Sequence, residues 1–230
     1  MILKPFDKLP EEFRNDEVKR YYDILDKKRK SLVIKRISDI VLALIMIVFL
    51  AFPMLVIALL VKFSSKGPVF YRQERVTTYG KKFMILKFRT MKVGADKEGL
   101  LTTENDDRIT KVGHLLRKIR FDELPQIFHV LSGKMSIVGT RPEVTKYVDR
   151  YTPVMYATLL MPAGVTSFAS IKYKDEDRII GEVTDPSQID DIYINEILPQ
   201  KMRYNLKYIE RFGFKRDIYL MFKTVKQVIL

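Results

Sequence analysis

From Ile40 to Val61 the chain carries no charged side chain, and Val, Ile, Leu and Phe dominate the run. No other feature narrows the fold as far. A straight helix of that length measures roughly 33 Å, close to the hydrocarbon thickness of a bilayer. Near the bilayer centre each such residue favours insertion by about 0.3–0.6 kcal/mol. Their sum outweighs the ~3 kcal/mol that a proline costs a helix interior. The run therefore predicts membrane association. It starts too far along the chain, and lacks the small-residue cleavage site, to read as a secretory signal.

Spanning is the plainest use of such a run, and two features argue against it. Pro53 sits past the middle and predicts a bend, with arms on either side too short to cross alone. Both flanks are basic: Lys27, Lys28, Arg29, Lys30, Lys35 and Arg36 precede the run, and Lys62, Lys66, Arg72 and Arg75 follow it. Positive charge stays on the cytoplasmic side, so a re-entrant helix that keeps both flanks inside is preferred. The resemblance described below reinforces that preference.

The remainder of the 230 residues suffices for one domain with a real core. There is no cysteine, which excludes disulfides and thiolate metal sites, and two histidines make a histidine-rich zinc site improbable. The net charge of +13 points to anionic partners, whether nucleic acid, phosphate substrates or an anionic lipid surface. Charge alone does not separate these.

Along the chain, residues 1–30 read as an amphipathic helix with its first turn at Pro10, Glu11 and Glu12, and Phe13, Val18, Tyr21, Tyr22 and Leu25 near one face. Val69–Tyr71 and Phe83–Leu86 read as short strands around a turn at Tyr79–Gly80. Residues 94–110 read as a polar loop. One helix is expected to end near Arg120 and another to begin near Asp122, since Pro125 is tolerated only in a first turn. Pro199 to Phe212 reads as a helix closed by Gly213. Beyond it Ile218, Phe222, Val225 and Ile229 fall at helical spacing, suited equally to a membrane surface and to core packing.

Asp-Glu occurs three times, at Asp16-Glu17, Asp122-Glu123 and Asp175-Glu176, so the dipeptide alone carries no weight. Asp122-Glu123 is set apart by Arg117 and Arg120 before it and Pro125 after it. A helix starting there favours a bound anion. By spacing alone, a capping Asp with a first-turn Glu is the better reading. Lys87, Arg89, Lys92 and Arg141 are further cations, suited to phosphate or to a lipid surface. No Walker loop, dinucleotide fingerprint or nucleic-acid motif is present.

The ordered set is more specific than its parts. "KRISD" leads into the proline-broken run, and "GPVFYRQERV", "KFMILKFRTM", "RKIRFDELPQIFHVLSGKMSIVGTRPE" and "RDIYLMFKTV" follow. Over about residues 32–230 the chain resembles the small bacterial polyprenyl-phosphate phosphoglycosyl transferases, the catalytic unit of initiating sugar transferases. The resemblance implies an α-rich α+β fold: a re-entrant membrane helix, amphipathic interfacial helices and a small β-hairpin in a single catalytic domain. It divides the chain into an N-terminal extension (1–31), a membrane helix (32–62) and a cytoplasmic catalytic domain (63–230). It makes Asp122 and Glu123 the catalytic dyad, Lys87, Arg89, Arg117 and Arg141 phosphate-binding, and Pro53 the membrane bend. Mg²⁺ is expected on Glu123 and the diphosphate, with Asp122 as a further ligand.

The implied reaction transfers a phospho-sugar from a UDP-sugar to polyprenyl (undecaprenyl) phosphate through an aspartyl phospho-sugar and releases UMP. It is the first membrane step of surface polysaccharide or glycoconjugate synthesis. The implied place is the cytoplasmic face of the bacterial inner membrane, among membrane lipids, with room for an oligomer and no nucleic acid. The rival readings are a non-catalytic basic membrane scaffold and a membrane-tethered nucleic-acid binder. The chain departs from the family pattern at Phe52, Lys134 and Thr140 and across Pro162–Ile171, which leaves the dyad untouched and the choice of sugar open.

Overall fold

The computed structural model describes residues 3–95, 106–173, 176–183 and 188–229. Helices dominate. Single 3₁₀ turns at Phe6–Lys8 and Glu11–Phe13 precede α1 (Asp16–Asp26). The helix expected from Pro10 thus begins six residues later. Arg14 leaves helical geometry, and the Asn15 side chain then accepts a hydrogen bond from the Val18 N–H at 2.9 Å, capping α1. The expected apolar face holds: Val18, Tyr21, Tyr22 and Leu25 are buried, in one core with Val138, Leu160 and Tyr208.

α2 (Arg29–Ser64) is a 36-residue helix, uninterrupted at Pro53. A proline removes one donor, and a helix of this length keeps the rest of its ladder. Its contacts with the body come from both ends. On the N-terminal arm Lys35 and Asp39 are buried, and Ala43 packs with Phe83, Ile127 and Val130. On the C-terminal arm Ile57 and Val61 pack with Phe88 and Leu116. Between them Phe49 is 76 % and Phe52 74 % exposed.

β1 (Phe70–Val76) and β2 (Lys82–Phe88) pair antiparallel, with Phe70 opposite Phe88 and Tyr71 opposite Lys87. Their turn places both Tyr79 and Gly80 at positive φ. Glycine takes that geometry freely. Tyr79 is held there by its ring against Phe13 and by the Lys4 N–H donated to its hydroxyl.

α3 (Lys111–Lys118) and a 3₁₀ segment, Phe121–Gln126, lead into α4 (Ile127–Leu131). β3 (Met135–Val138) then pairs in parallel with β4 (Ala163–Thr166). Two glycines permit that approach: a Cβ on Gly164 would lie 2.2 Å from the Gly139 nitrogen. Short helices α5 (Thr145–Val148), α6 (Phe168–Lys172), α7 (Glu176–Gly181) and α8 (Ile189–Ile192) follow. A π-turn at Tyr193–Ile197 joins α8 to α9 (Leu198–Glu210). The expected polar loop is described only at its ends, because residues 96–105 lie outside the described set, as does Asp175 of the third Asp-Glu pair.

α10 (Phe214–Ile229) answers both readings of the last segment. Asp217 and Leu220 are buried, whereas Tyr219, Phe222 and Val225 stay exposed. A buried polar network ties it to α2. Lys35 Nζ donates to Asp217 and to the Val138 carbonyl, both at 2.7 Å, and the Tyr208 hydroxyl donates to Asp217 at 2.8 Å. Asp39 accepts from the Ser136 hydroxyl and the Ile137 N–H.

Candidate active site

Arg120 adopts left-handed backbone (φ +57°), which stops α3 and turns the chain into the 3₁₀ segment that carries Asp122 and Glu123. Each is only 8 % exposed. The helix start expected at Asp122 is therefore a 3₁₀ turn, with α4 beginning at Ile127. A helix dipole contributes little there, and side-chain cations supply the positive field.

Those cations come from separate elements. From β2, Lys87 Nζ donates to Glu123 Oε1 at 2.8 Å; from the turn after β3, Arg141 Nη2 donates to the same oxygen at 3.3 Å. Burial works against the Glu123 charge, but Lys87 and Arg141 outweigh it and hold the carboxyl far below its usual range. Burial lowers the pKa of Lys87, with Glu123 its main support. At Asp122 burial prevails and pushes the carboxyl up, against Lys87 and, more weakly, Arg117 and Arg120. Its Oδ1 is buried and has no hydrogen-bond partner. A capping aspartate would have spent that oxygen on a backbone N–H; Asp122 has not.

Two adjacent carboxylates are thus in opposite conditions. Glu123 is ionised and paired, while Asp122 is poorly solvated and keeps an unused oxygen. That division is the pattern expected when one carboxylate supports the charge balance and the other reacts.

The pair opens into a cavity of about 880 Å³. Lys87, Arg117, Arg120 and Arg141 line it around the dyad, and Met46 of α2 reaches its wall. Four of the expected site residues, Asp122, Glu123, Lys87 and Arg141, are brought into one group, and Arg117 borders it. Arg89 also lines the cavity and is in addition tied to the end of α2. Its Nη2 donates to the carbonyl of Ser65 at 2.7 Å and to the Ser65 hydroxyl at 3.0 Å, closing the end of α2. Its Nε and Nη1 are buried without partners. Arg89 follows directly on β2, and the two cations differ in their partners: Arg89 bonds the helix end and Lys87 bonds Glu123. Pro53 lies inside α2, beside the exposed Phe52.

Mg²⁺ needs oxygen ligands and commonly takes one or two carboxylates plus substrate phosphates. Among the described residues no group of three or more acidic, histidine or cysteine side chains is arranged around a metal position. Asp122 and Glu123 together, with one buried oxygen unused, fit a cation completed by phosphate.

Residues not expected from the sequence also line the cavity: Arg75, Glu143, Tyr193 and Lys201. Arg75 donates to the Pro142 carbonyl at 3.2 Å and to Gln73. Lys201 Nζ lies 3.1 Å from Glu143. These partners are far apart in the chain, so nothing in local spacing announces them. The one available hint was Glu143 following Arg141-Pro142.

The family profile described as "Bacterial sugar transferase" matches residues 30–230. A UDP-glucose:undecaprenyl-phosphate glucose-1-phosphate transferase of Escherichia coli (strain K12) is 36 % identical over 198 residues, covering 84 % of this chain and 39 % of the relative. A UDP-N-acetylgalactosamine-undecaprenyl-phosphate N-acetylgalactosaminephosphotransferase of Aeromonas hydrophila is 35 % identical over 85 % of this chain and 44 % of its own. A UDP-glucose:undecaprenyl-phosphate glucose-1-phosphate transferase of Caulobacter vibrioides is 32 % identical, over 85 % of this chain and 69 % of its own. The chain thus spans less than half of the first two relatives.

Proposed function

The chain belongs to the bacterial sugar transferase family, and from that membership we propose that it moves a phospho-sugar from a UDP-sugar to a polyprenyl phosphate, releasing UMP. The observation that carries this reading is the state of the dyad: an unpartnered, desolvated oxygen on Asp122 beside a Glu123 already neutralised by Lys87 and Arg141. Phosphoryl transfer depends chiefly on positioning and charge neutralisation.

In the first step an Asp122 oxygen attacks the phosphorus that bears the sugar. The bond from that phosphorus to the bridging oxygen breaks, and its electron pair leaves with UMP. The enzyme is left as an aspartyl phospho-sugar, a carboxylate adduct of a known chemical type. In the second step an oxygen of the polyprenyl phosphate attacks the same phosphorus. The Asp122–phosphorus bond breaks, the carboxylate is regenerated, and a polyprenyl diphospho-sugar departs. Arg117, Arg141 and Lys87 face the phosphate charge throughout. Asp122 and Glu123 would hold Mg²⁺, which when bound screens the diphosphate.

The lipid acceptor sets a requirement of height: the site has to sit level with the headgroups. Body contacts on both arms of α2 support a re-entrant placement. Between Ile47 and Met54, which still pack against the body, roughly 10 Å of helix is free of it, far less than the ~30 Å hydrocarbon core. The basic flanks favour the cytoplasmic face of the inner membrane. The deciding experiment is a UMP-release assay with purified protein, undecaprenyl phosphate and a panel of UDP-sugars. UMP release dependent on one or more of them is expected. Absence of release with every sugar, by folded protein in lipid, would remove the proposal.

A further inference from the structure

The cavity of the dyad extends to a second buried cluster, which the chemistry above leaves unused. Glu143 lies there, 3 % exposed, two residues beyond Arg141. A carboxylate buried beside a phosphate site is unfavourable unless something holds it ionised. Here Tyr193 donates its hydroxyl to Glu143 Oε2 at 2.9 Å, and Lys201 Nζ donates to the Tyr193 hydroxyl at 2.7 Å. Lys201 also lies 3.1 Å from Glu143 Oε1. Burial opposes the charge, yet Lys201 and Arg75 keep the Glu143 carboxyl below its usual range.

Glu143 is therefore a pure acceptor, and its capacity is not filled. An ionised carboxylate offers about four lone-pair sites. Oε2 takes the Tyr193 hydroxyl, and Oε1 meets only the Lys201 ammonium of the ion pair. The surrounding wall is aromatic and apolar. Tyr147 and Tyr193 stand with ring centroids 4.2 Å apart, and Val144 and Ile180 complete it. Aromatic faces, one ionised acceptor and one ammonium suit a ring with C–H faces and an edge of O–H or N–H donors. They do not suit another phosphate, which the carboxylate repels.

Three parts of a nucleotide-sugar carry such donors: the sugar hydroxyls, the ribose hydroxyls and the imide of the base. Chain distance separates them. Arg141, which bonds Glu123, is two residues from Glu143, so Glu143 belongs beside the reacting phosphate. That phosphate bears the sugar, whereas the ribose lies beyond a further phosphate and the base beyond the ribose. We propose that Glu143, oriented by Lys201 and Tyr193, is a specificity-determining residue that accepts a hydrogen bond from the sugar of the donor. The assignment rests on the UDP-sugar reading above and adds to it the group that distinguishes one sugar from another.

The test compares the full chain with Glu143→Gln and Tyr193→Phe in lipid vesicles. Each is assayed for kcat/KM over a panel of UDP-sugars differing at single hydroxyls, and for inhibition by UMP. Activity of the wild-type chain with any donor secures the parent reading independently. Glu143→Gln is expected to change the ranking of sugars by tenfold or more and to leave UMP inhibition within twofold. A uniform loss over all sugars would overturn the assignment, as would weakened UMP inhibition in step with activity, which points to the nucleoside. Should Glu143→Gln fail to fold, Tyr193→Phe decides: it removes one hydroxyl, and an unchanged ranking defeats the proposal.

Discussion

At Asp122 burial lifts the carboxyl above its usual range, while Lys87 is the strongest of the charges pulling it back. A nucleophilic carboxylate must be ionised, so protonation silences it. The acid limb of phospho-sugar transfer onto the protein is therefore expected above the ~3.9 of a free aspartate. A limb at or below that value would mean that another group reacts. Asp122→Asn keeps the shape of the side chain and removes the charge. Trapping of a radiolabelled phospho-sugar on the protein is expected to vanish in this variant, and turnover to fall by about 10³ or more, since the nucleophile itself is lost. Labelling that persists would assign the nucleophile elsewhere. Local sequence did not reveal this residue, because Asp-Glu recurs and by spacing alone a cap is the better reading. Its distinction comes from Lys87 and Arg141, which approach from other elements. Arg89, two positions from Lys87, lines the same cavity and also bonds the end of α2, a partner that its neighbourhood in sequence does not announce.

Among the elements, those set by local pattern were legible. The apolar face of α1, the hairpin around Tyr79–Gly80, the boundary near Arg120 and the helix before Gly213 all follow from periodicity or turn chemistry. The parallel β3–β4 pair was not, because its register depends on the close approach of Gly139 and Gly164 across a long connection. The helices between residues 176 and 197 carry no strong periodic signal and were also missed. Two predictions belong to this scale. Lys35 and Asp217 form a buried ion pair that fixes α2 to α10, with side chains 5 % and 4 % exposed. Removing one partner leaves the other charge buried, so Lys35→Met is expected to lower stability by about 3–5 kcal/mol. The double variant Lys35→Met, Asp217→Leu should recover part of that, as measured by denaturation in detergent; losses that simply add would show that the pair is not coupled. The second concerns His129, whose Nε2 accepts the Leu86 N–H at 3.0 Å. Burial, assisted by Lys134, lowers its pKa from 6.5. The unfolded chain then binds the proton first, so this contribution to stability is complete above about pH 6.5 and is lost as the pH falls through the folded-state value. Thermal unfolding between about pH 7 and 5 should show a steeper decline for the native chain than for His129→Gln, whose side chain does not titrate. Equal slopes would exclude His129 as the source.

For the whole molecule the decisive relation is between the bare middle of α2 and a body held at both of its ends. An apolar helix that crossed the bilayer would carry one arm away from the body. Here Leu32, Lys35 and Ala43 are buried on one side of the exposed stretch and Ile57 and Val61 on the other. Separating either arm would expose its apolar side chains, and separating the N-terminal arm would also break the Lys35 pair, at a cost of several kcal/mol on the scale of ~25 cal/mol per Å² of buried apolar surface and ~3–5 kcal/mol for the pair. The surplus of +13 adds attraction to an anionic leaflet, and the exposed Phe222 and Val225 of α10 add apolar contact. Since the chain has no cysteine, single cysteines report its placement without background. Lys30→Cys, Lys66→Cys and Asp149→Cys are expected to react with a membrane-impermeant maleimide from one and the same side of sealed vesicles. Phe52→Cys should resist the reagent from both sides and react once detergent is added. Reaction of Lys30→Cys and Asp149→Cys from opposite sides would place the two ends of α2 across the bilayer, and the dyad would then lack the fixed height that attack by a lipid phosphate requires.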